Sequence, residues 1–351
     1  MRRVGKSTRI SFVLASALLA MLLEASAGPV EMPEGVPRTG KDFAVAPGDF
    51  RFVVVGDRTG GHRPGVFEAA MEQINLLHPA FVLSVGDLIE GYTEKKERIA
   101  DQWSELRSMV DRLEMPFFFT VGNHDVSNAS MLDYWRAELG ADVYYFVYED
   151  VLFLSLNTED PPIELSAENR AGQARLESAM EKDPGGTQAR LLEAMRERGE
   201  PVRLPGQVAI GERQVRFVEE TLERYPDVRW IFVLMHKPAW LYDSPEFREI
   251  EALLEGRPYT VLAGHEHFYR WESRHGRDYI DMATTGGVWL REGGGRVDHV
   301  LLVSMTDAGP RYANIRLDGI ADKAGRTDPI FQHYRDLGVH RLDKTPPLGQ
   351  K

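Results

Sequence analysis

The 351-residue chain has no cysteine, so neither disulfides nor a lipid-modified N-terminal cysteine can hold or anchor it. A chain of this length can bury enough surface to fold without cross-links. It also lacks an apolar run of the ~20 residues that a membrane-spanning helix requires. The run from Ile10 to Leu23 is fourteen residues. Positive charge is in deficit: 42 Lys and Arg stand against 54 Asp and Glu, a formal net charge of −12. That balance argues against a sequence-independent grip on nucleic acid or on an anionic membrane. No repeat with the period of a solenoid or propeller is present.

What is present is ordinary for a globular protein, with 43% hydrophobic and 27% charged residues. Arg2, Arg3, Lys6 and Arg9 precede the short apolar run, and Ala25-Ser26-Ala27 follows it. Charged, apolar and small-residue regions in that order predict a secretory signal peptide over residues 1–27, cleaved after Ala27. A retained anchor is the alternative, disfavoured by length. The expectation is an exported protein, periplasmic or extracellular, with no stable membrane anchor.

Residues 28–48 are rich in Pro and Gly with no apolar period and read as an extended arm. Three strand–loop–helix units follow, with strands at 51–55, 81–85 and 117–121 and helices from Pro64, Lys95 and Asn128. This is the pattern of an α/β domain. An antiparallel hairpin is expected at 143–156, turning at Glu149-Asp150. Residues 158–206 are charged and rich in Ala, Glu and Arg; they read as a solvated, partly helical insertion. A helix at 211–224, strands at 230–235 and 259–263 and a β-rich finish complete a domain spanning 49–320. Residues 321–351 form a C-terminal extension whose end is expected to be disordered.

The stretch Phe117-Phe118-Phe119-Thr120-Val121-Gly122-Asn123-His124-Asp125 is the most informative. A buried strand ends in glycine, where a sharp turn presents three side chains that ligate metals or move protons. The same grammar delivers Asp57, Asp87, His236, and His265 with His267. Each has an innocent reading as a helix cap, a satisfied histidine or an alternating strand residue. As an ordered set at strand ends, they point to one shared edge of a sheet.

Gly-Asp at 57, Gly-Asp at 87, Gly-Asn-His-Asp at 122–125, His236 and Gly-His-Glu-His at 264–267 resemble the calcineurin-like metallophosphoesterases. The resemblance covers roughly residues 51–285. It implies a four-layer α/β/β/α sandwich holding two divalent metal ions, of which Mn, Fe or Zn suit mixed oxygen and imidazole ligands. By the same resemblance Asp87 bridges both ions. Asn123, His236 and His265 complete one site, and Asp57 and His267 serve the other. His124 is expected to act on the leaving group, with Asp125 orienting its ring. Arg58 is a weak candidate for holding a phosphate oxygen, against a plainer reading as a solvated arginine.

One position departs from the family pattern. Asp-x-His is usual in the first motif, and here it is Asp57-Arg58-Thr59. The purple acid phosphatase branch also lacks that histidine and places a tyrosine three residues after the second-motif aspartate. Glu90 stands there, with Tyr92 nearby. Glu90, or His62 on its Gly-rich loop, is therefore the candidate extra ligand, the alternative being that nothing fills the position. The sequence thus predicts a metal-dependent phosphoesterase acting on a small-molecule or polymeric phosphate monoester or diester. A catalytically silent relative that binds a phosphorylated ligand is the alternative.

Overall fold

The computed structural model describes residues 32–41, 50–162, 164–198, 207–291 and 293–319. The expectations for 1–27 and 321–351 lie outside them. Strands β1 (Arg51–Val55), β2 (Phe81–Ser84) and β3 (Phe117–Phe118) run parallel, connected by α1 (Val66–Leu77) and α2 (Lys96–Val110). Helix α3 (Ala129–Glu138) leads to the hairpin β4 (Tyr144–Tyr148) and β5 (Val151–Ser155). The next segment carries α4 (Ala167–Lys182), α5 (Pro184–Arg198) and α6 (Glu212–Arg224). Then come β6 (Trp230–Leu234), α7 (Pro245–Leu253), β7 (Tyr259–Ala263), β8 (Arg270–Arg274), β9 (Arg277–Asp281), β10 (His299–Thr306) and β11 (Gly309–Arg316).

The strands form two sheets, ordered β11-β10-β1-β2-β3 and β4-β5-β6-β7-β9-β8. Alternation along β1 shows how they stack. Phe52 and Val54 face the second sheet, whereas Val53 and Val55 face the helices. The inter-sheet core is aromatic: Phe118 stacks on Phe146 with ring centroids 4.1 Å apart, and Phe52 meets Phe153 edge-on at 5.2 Å. Helices α1, α2 and α3 cover the outer face of the first sheet, and α6 and α7 that of the second. Both faces of the central strands are thus apolar, as a largely parallel sheet demands.

The hairpin forms as expected, with Glu149 and Asp150 at φ 48° and 58°, the left-handed pair of a type I′ turn. Three details differ from the sequence reading. Helix α1 begins at Val66 because Gly65 adopts φ 85°, leaving Pro64 outside. The third strand is only two residues long, and the N-terminal arm accounts for its edge: Arg38 pairs with Phe118, and Phe119 N donates to Pro37 O at 3.1 Å. Those bonds cover an edge that would otherwise be open. Helix α7 was not anticipated, although Ser244-Pro245 announces it: the Ser244 hydroxyl accepts from Phe247 N at 3.2 Å.

Candidate metal centre

The loops that follow β1, β2, β3, β6 and β7 converge at one end of the paired sheets. Their glycines make that possible. A Cβ on Gly122 would stand 2.3 Å from Asp87 Oδ1, and one on Gly264 would stand 2.4 Å from Asp57 Oδ1. Neither glycine has positive φ. Close approach of backbones is what excludes a side chain, not the sharp turn expected at Gly122. Strain appears instead on the polar residues: Asp87, His265 and His267 sit at φ 55°, 76° and 50°. Non-glycine residues held there cluster at functional sites.

Asp87 Oδ2 lies 3.1 Å from His236 Nε2. That nitrogen is also 3.0 Å from Asn123 Oδ1 and 3.3 Å from His265 Nδ1. His236 Nδ1 is 2.8 Å from Val85 O. A carbonyl only accepts, so Nδ1 carries a hydrogen and Nε2 is the nitrogen presented to the other three atoms. Four donor atoms thus meet in a fully buried space, which suits a cation and little else. Asp87, His236 and His265 form a compact group able to hold one. Beside it, Asp57 Oδ2 lies 3.2 Å from His267 Nε2, whose ring is fixed from behind by Val288 O. Asp57 also accepts from His265 N at 3.0 Å, tying the two halves together.

The electrostatics agree. Burial disfavours ionisation of Asp87, yet the adjoining His236 and His124 hold its carboxyl well below the usual carboxylate range. Burial would lower His236, but the Asp87 and Asp57 carboxylates raise it to about 9. His267 is likewise raised by Asp57 against its burial. These carboxylates draw positive charge onto the imidazoles, and a divalent ion would take the place of that proton.

The remaining candidates are corrected. Asp125 does not orient His124: its two oxygens accept from the backbone N–H groups of Gly122, Asp87, Leu88 and Ile89 at 2.8–3.2 Å. With every acceptor direction taken up by amides, it braces the β2 loop against the β3 loop. His124 is instead positioned by Glu90 O, 2.8 Å from its Nδ1, which leaves Nε2 toward the cavity. Arg58 neither lines the cavity nor meets solvent. It is buried, donating to Leu88 O at 2.9 Å and to Glu105 at 2.6 Å.

Glu90 is also occupied elsewhere. Its carboxylate accepts from Gly61 N, from His62 N at 2.8 Å and from Gln173 Nε2 at 3.2 Å, and lies 2.8 Å from His62 Nδ1. Burial opposes its ionisation, but His62 holds it well below the usual range. Neither Glu90 nor His62 joins the donor cluster. Tyr92, set aside in the sequence reading, instead touches it indirectly. Its hydroxyl accepts from Asn123 Nδ2 at 2.8 Å, which turns Asn123 Oδ1 toward His236. The ring stands edge-on to His124, with centroids 4.6 Å apart. Replacing Glu90 by Gln removes a charged acceptor from the buried Gly61 amide and the part-buried His62 amide. We expect a loss of about 1–3 kcal/mol in stability, read from denaturant unfolding, with metal stoichiometry unchanged. Loss of one metal equivalent would restore Glu90 as a ligand.

The profile of the calcineurin-like phosphoesterases matches residues 50–269. The chain belongs to that family. Solved structures of similar fold include a dimetal phosphatase from Danio rerio, at 13% identity and TM-score 0.50, with 76% of this chain and 98% of that one covered. Purple acid phosphatase PPD1 of yellow lupin (Lupinus luteus) is similar at 13% identity and TM-score 0.51, covering 87% of this chain and 58% of that one. At such identities the likeness is one of fold. No curated protein matches the sequence. This phosphoesterase is a hydrolase acting on phosphate esters, and its strand-end cluster includes a metal-competent site of Asp87, His236 and His265.

Proposed function

We propose that the protein is an exported phosphoesterase that hydrolyses phosphate esters at a two-metal centre. Asp87, Asn123, His236 and His265 would hold one divalent ion, and Asp57 and His267, with Asp87 shared, the other. The convergence of Asp87 Oδ2, Asn123 Oδ1 and His265 Nδ1 on His236 Nε2, all within 3.3 Å, supports the first site, and the adjoining Asp57–His267 pair supports the second. Mn, Fe or Zn fits a donor set of carboxylate, amide oxygen and imidazole better than Ca or Mg. Such ions, when bound, lower the pKa of coordinated water and neutralise charge on the phosphoryl group.

The chain's own residues supply positioning and a proton. Tyr92 aims Asn123, Val85 O aims His236, and Val288 O aims His267. Ring orientation of this kind fixes which nitrogen is presented. His124, with Nδ1 donating to Glu90 O, presents Nε2 to the cavity, 3.8 Å from Asp87 Oδ2. There it can give a proton to a departing alkoxide or phenolate. A purely binding relative has no use for a histidine so placed, which favours hydrolysis over a silent binder.

The test is hydrolysis of p-nitrophenyl phosphate by protein purified from the full gene product. Activity should vanish on chelation and return with Mn, Fe or Zn, and the exported form should begin at Gly28 on N-terminal sequencing. Activity indifferent to exhaustive chelation would overturn the metal assignment. A mature N-terminus at Met1 would overturn export with cleavage.

A further inference from the structure

The catalytic edge opens into a cavity of about 460 Å³, within the range of small-molecule sites. Half of its lining comes from the insertion, not from the sheets. Leu165, α4 and Leu191 of α5 roof the cluster of Asp87, Asn123, His124, His265 and His267. The lining is sorted by exposure. Glu168 and Asn169, both in the first turn of α4, and Arg175, about two turns further on, are exposed and line the cavity. Leu176, Leu191 and Leu290 are half-buried or buried and pack together around Met180 as an apolar patch of the lining, and half-buried Leu165 lines the same cavity.

The roof is fastened to the body of the protein. Met180 is fully buried against Val288 and Leu290 and packs with Leu176, Leu191 and Leu192. Gln188, also buried, donates Nε2 to Trp289 O at 3.0 Å and accepts from Trp289 N at 2.9 Å. Gln173 holds Glu90, and Arg98 pairs with Glu177 at 2.7 Å. The roof is thus tied to the body of the protein at four places.

From this arrangement we propose that the substrate is a compact phosphate monoester whose alcohol part is apolar or aromatic. The phosphate would meet the strand-end cluster while the organic group lies against Leu165 and its neighbours. A phosphodiester would have to place a second organic group beside the roof of α4 and Leu191. The specificity-determining residue is Leu165, which lines the cavity but takes no part in the packing of Met180. The inference rests on the strand-end cluster being the hydrolytic centre.

Two measurements on metal-loaded, full-length protein separate that premise from the substrate class. The first compares kcat/KM for 1-naphthyl phosphate, glycerol phosphate and bis(p-nitrophenyl) phosphate. The second measures calorimetric binding of 1-naphthylmethylphosphonate and methylphosphonate, which needs no turnover. Wild type should favour the naphthyl compound at least tenfold in both, and the diester should be the poorest substrate. Leu165→Asn should raise KM for 1-naphthyl phosphate about tenfold and KM for glycerol phosphate by much less, so that the preference between them collapses while the metal content holds. Tenfold is the scale of withdrawing one apolar side chain from a bound group. Leu165→Met serves as the conservative control and should retain the preference. Selective phosphonate binding without turnover of any ester would sink the hydrolytic premise and keep the ligand class. Equal binding of the two phosphonates, or a diester turned over as well as the monoesters, would overturn the inference itself.

Discussion

Asp87→Ala should yield a folded protein that holds its metal at least ~100-fold more weakly and shows no measurable phosphatase activity. Losing a partner outside the coordination shell typically weakens metal binding 10–100-fold, and Asp87 is no outside partner. It is the one carboxylate in the compact Asp87–His236–His265 group. Its two oxygens do different work. Oδ1 accepts from His124 N at 2.9 Å, and Oδ2 lies 3.1 Å from His236 Nε2. Alanine abolishes both, and it leaves His236 and His265 as two close imidazoles with no counter-charge between them. Asp87→Asn is the informative companion, since an amide oxygen can still accept from His124 N but brings no charge. Metal analysis by inductively coupled plasma mass spectrometry, alongside circular dichroism, reads both variants. A metal-replete, active Asp87→Ala would end the two-metal reading.

His124→Ala should keep the metals and the fold yet lose ~100-fold or more in turnover, the usual scale for a positioned proton donor. The ring is held by one bond, from Nδ1 to Glu90 O, and its removal leaves a buried carbonyl short of a donor. That costs about 1 kcal/mol of stability, too little to unfold the domain. The loss in rate should shrink across aryl phosphates as the leaving phenol becomes more acidic, because a good leaving group needs no proton. A uniform loss across that series would mean His124 stabilises charge in the transition state and does not transfer a proton.

The strand-end residues were legible because their chemistry is restrictive. Few side chains ligate metals, and Asp57, Asp87, Asn123, His236, His265 and His267 each follow an apolar run and a glycine or a strand terminus. Parallel strands then bring their ends to one edge with no further information. What was not legible depends on which way a side chain turns. Asp125 follows His124 directly, so pairing the two was natural, yet four amides from two loops claim its carboxylate. Glu90 occupies a position where a related branch uses tyrosine, but the Gly60-Gly61-His62 loop folds back onto it. Arg63 pins that loop, paired with Asp298 and lying 4.4 Å from the centre of the Trp289 ring. The partners involved are 28 and 235 residues apart, beyond the reach of any local pattern. Helix α7 escaped because nine residues between two strands offer too few turns for a period to show.

Gln188 grips Trp289 by both its N–H and its C=O, and one residue earlier in the same loop Val288 O fixes His267. The substrate's roof and a metal ligand's ring therefore share one short piece of backbone. Any occupant that steadies α4 and α5 steadies the imidazole as well, and a cation at His267 steadies the roof in return. Thermodynamic reciprocity then requires that ester and ion alter each other's affinity by the same factor, whichever arrives first. Metal affinity measured on the bare protein is, in that case, a lower bound on what the working enzyme holds.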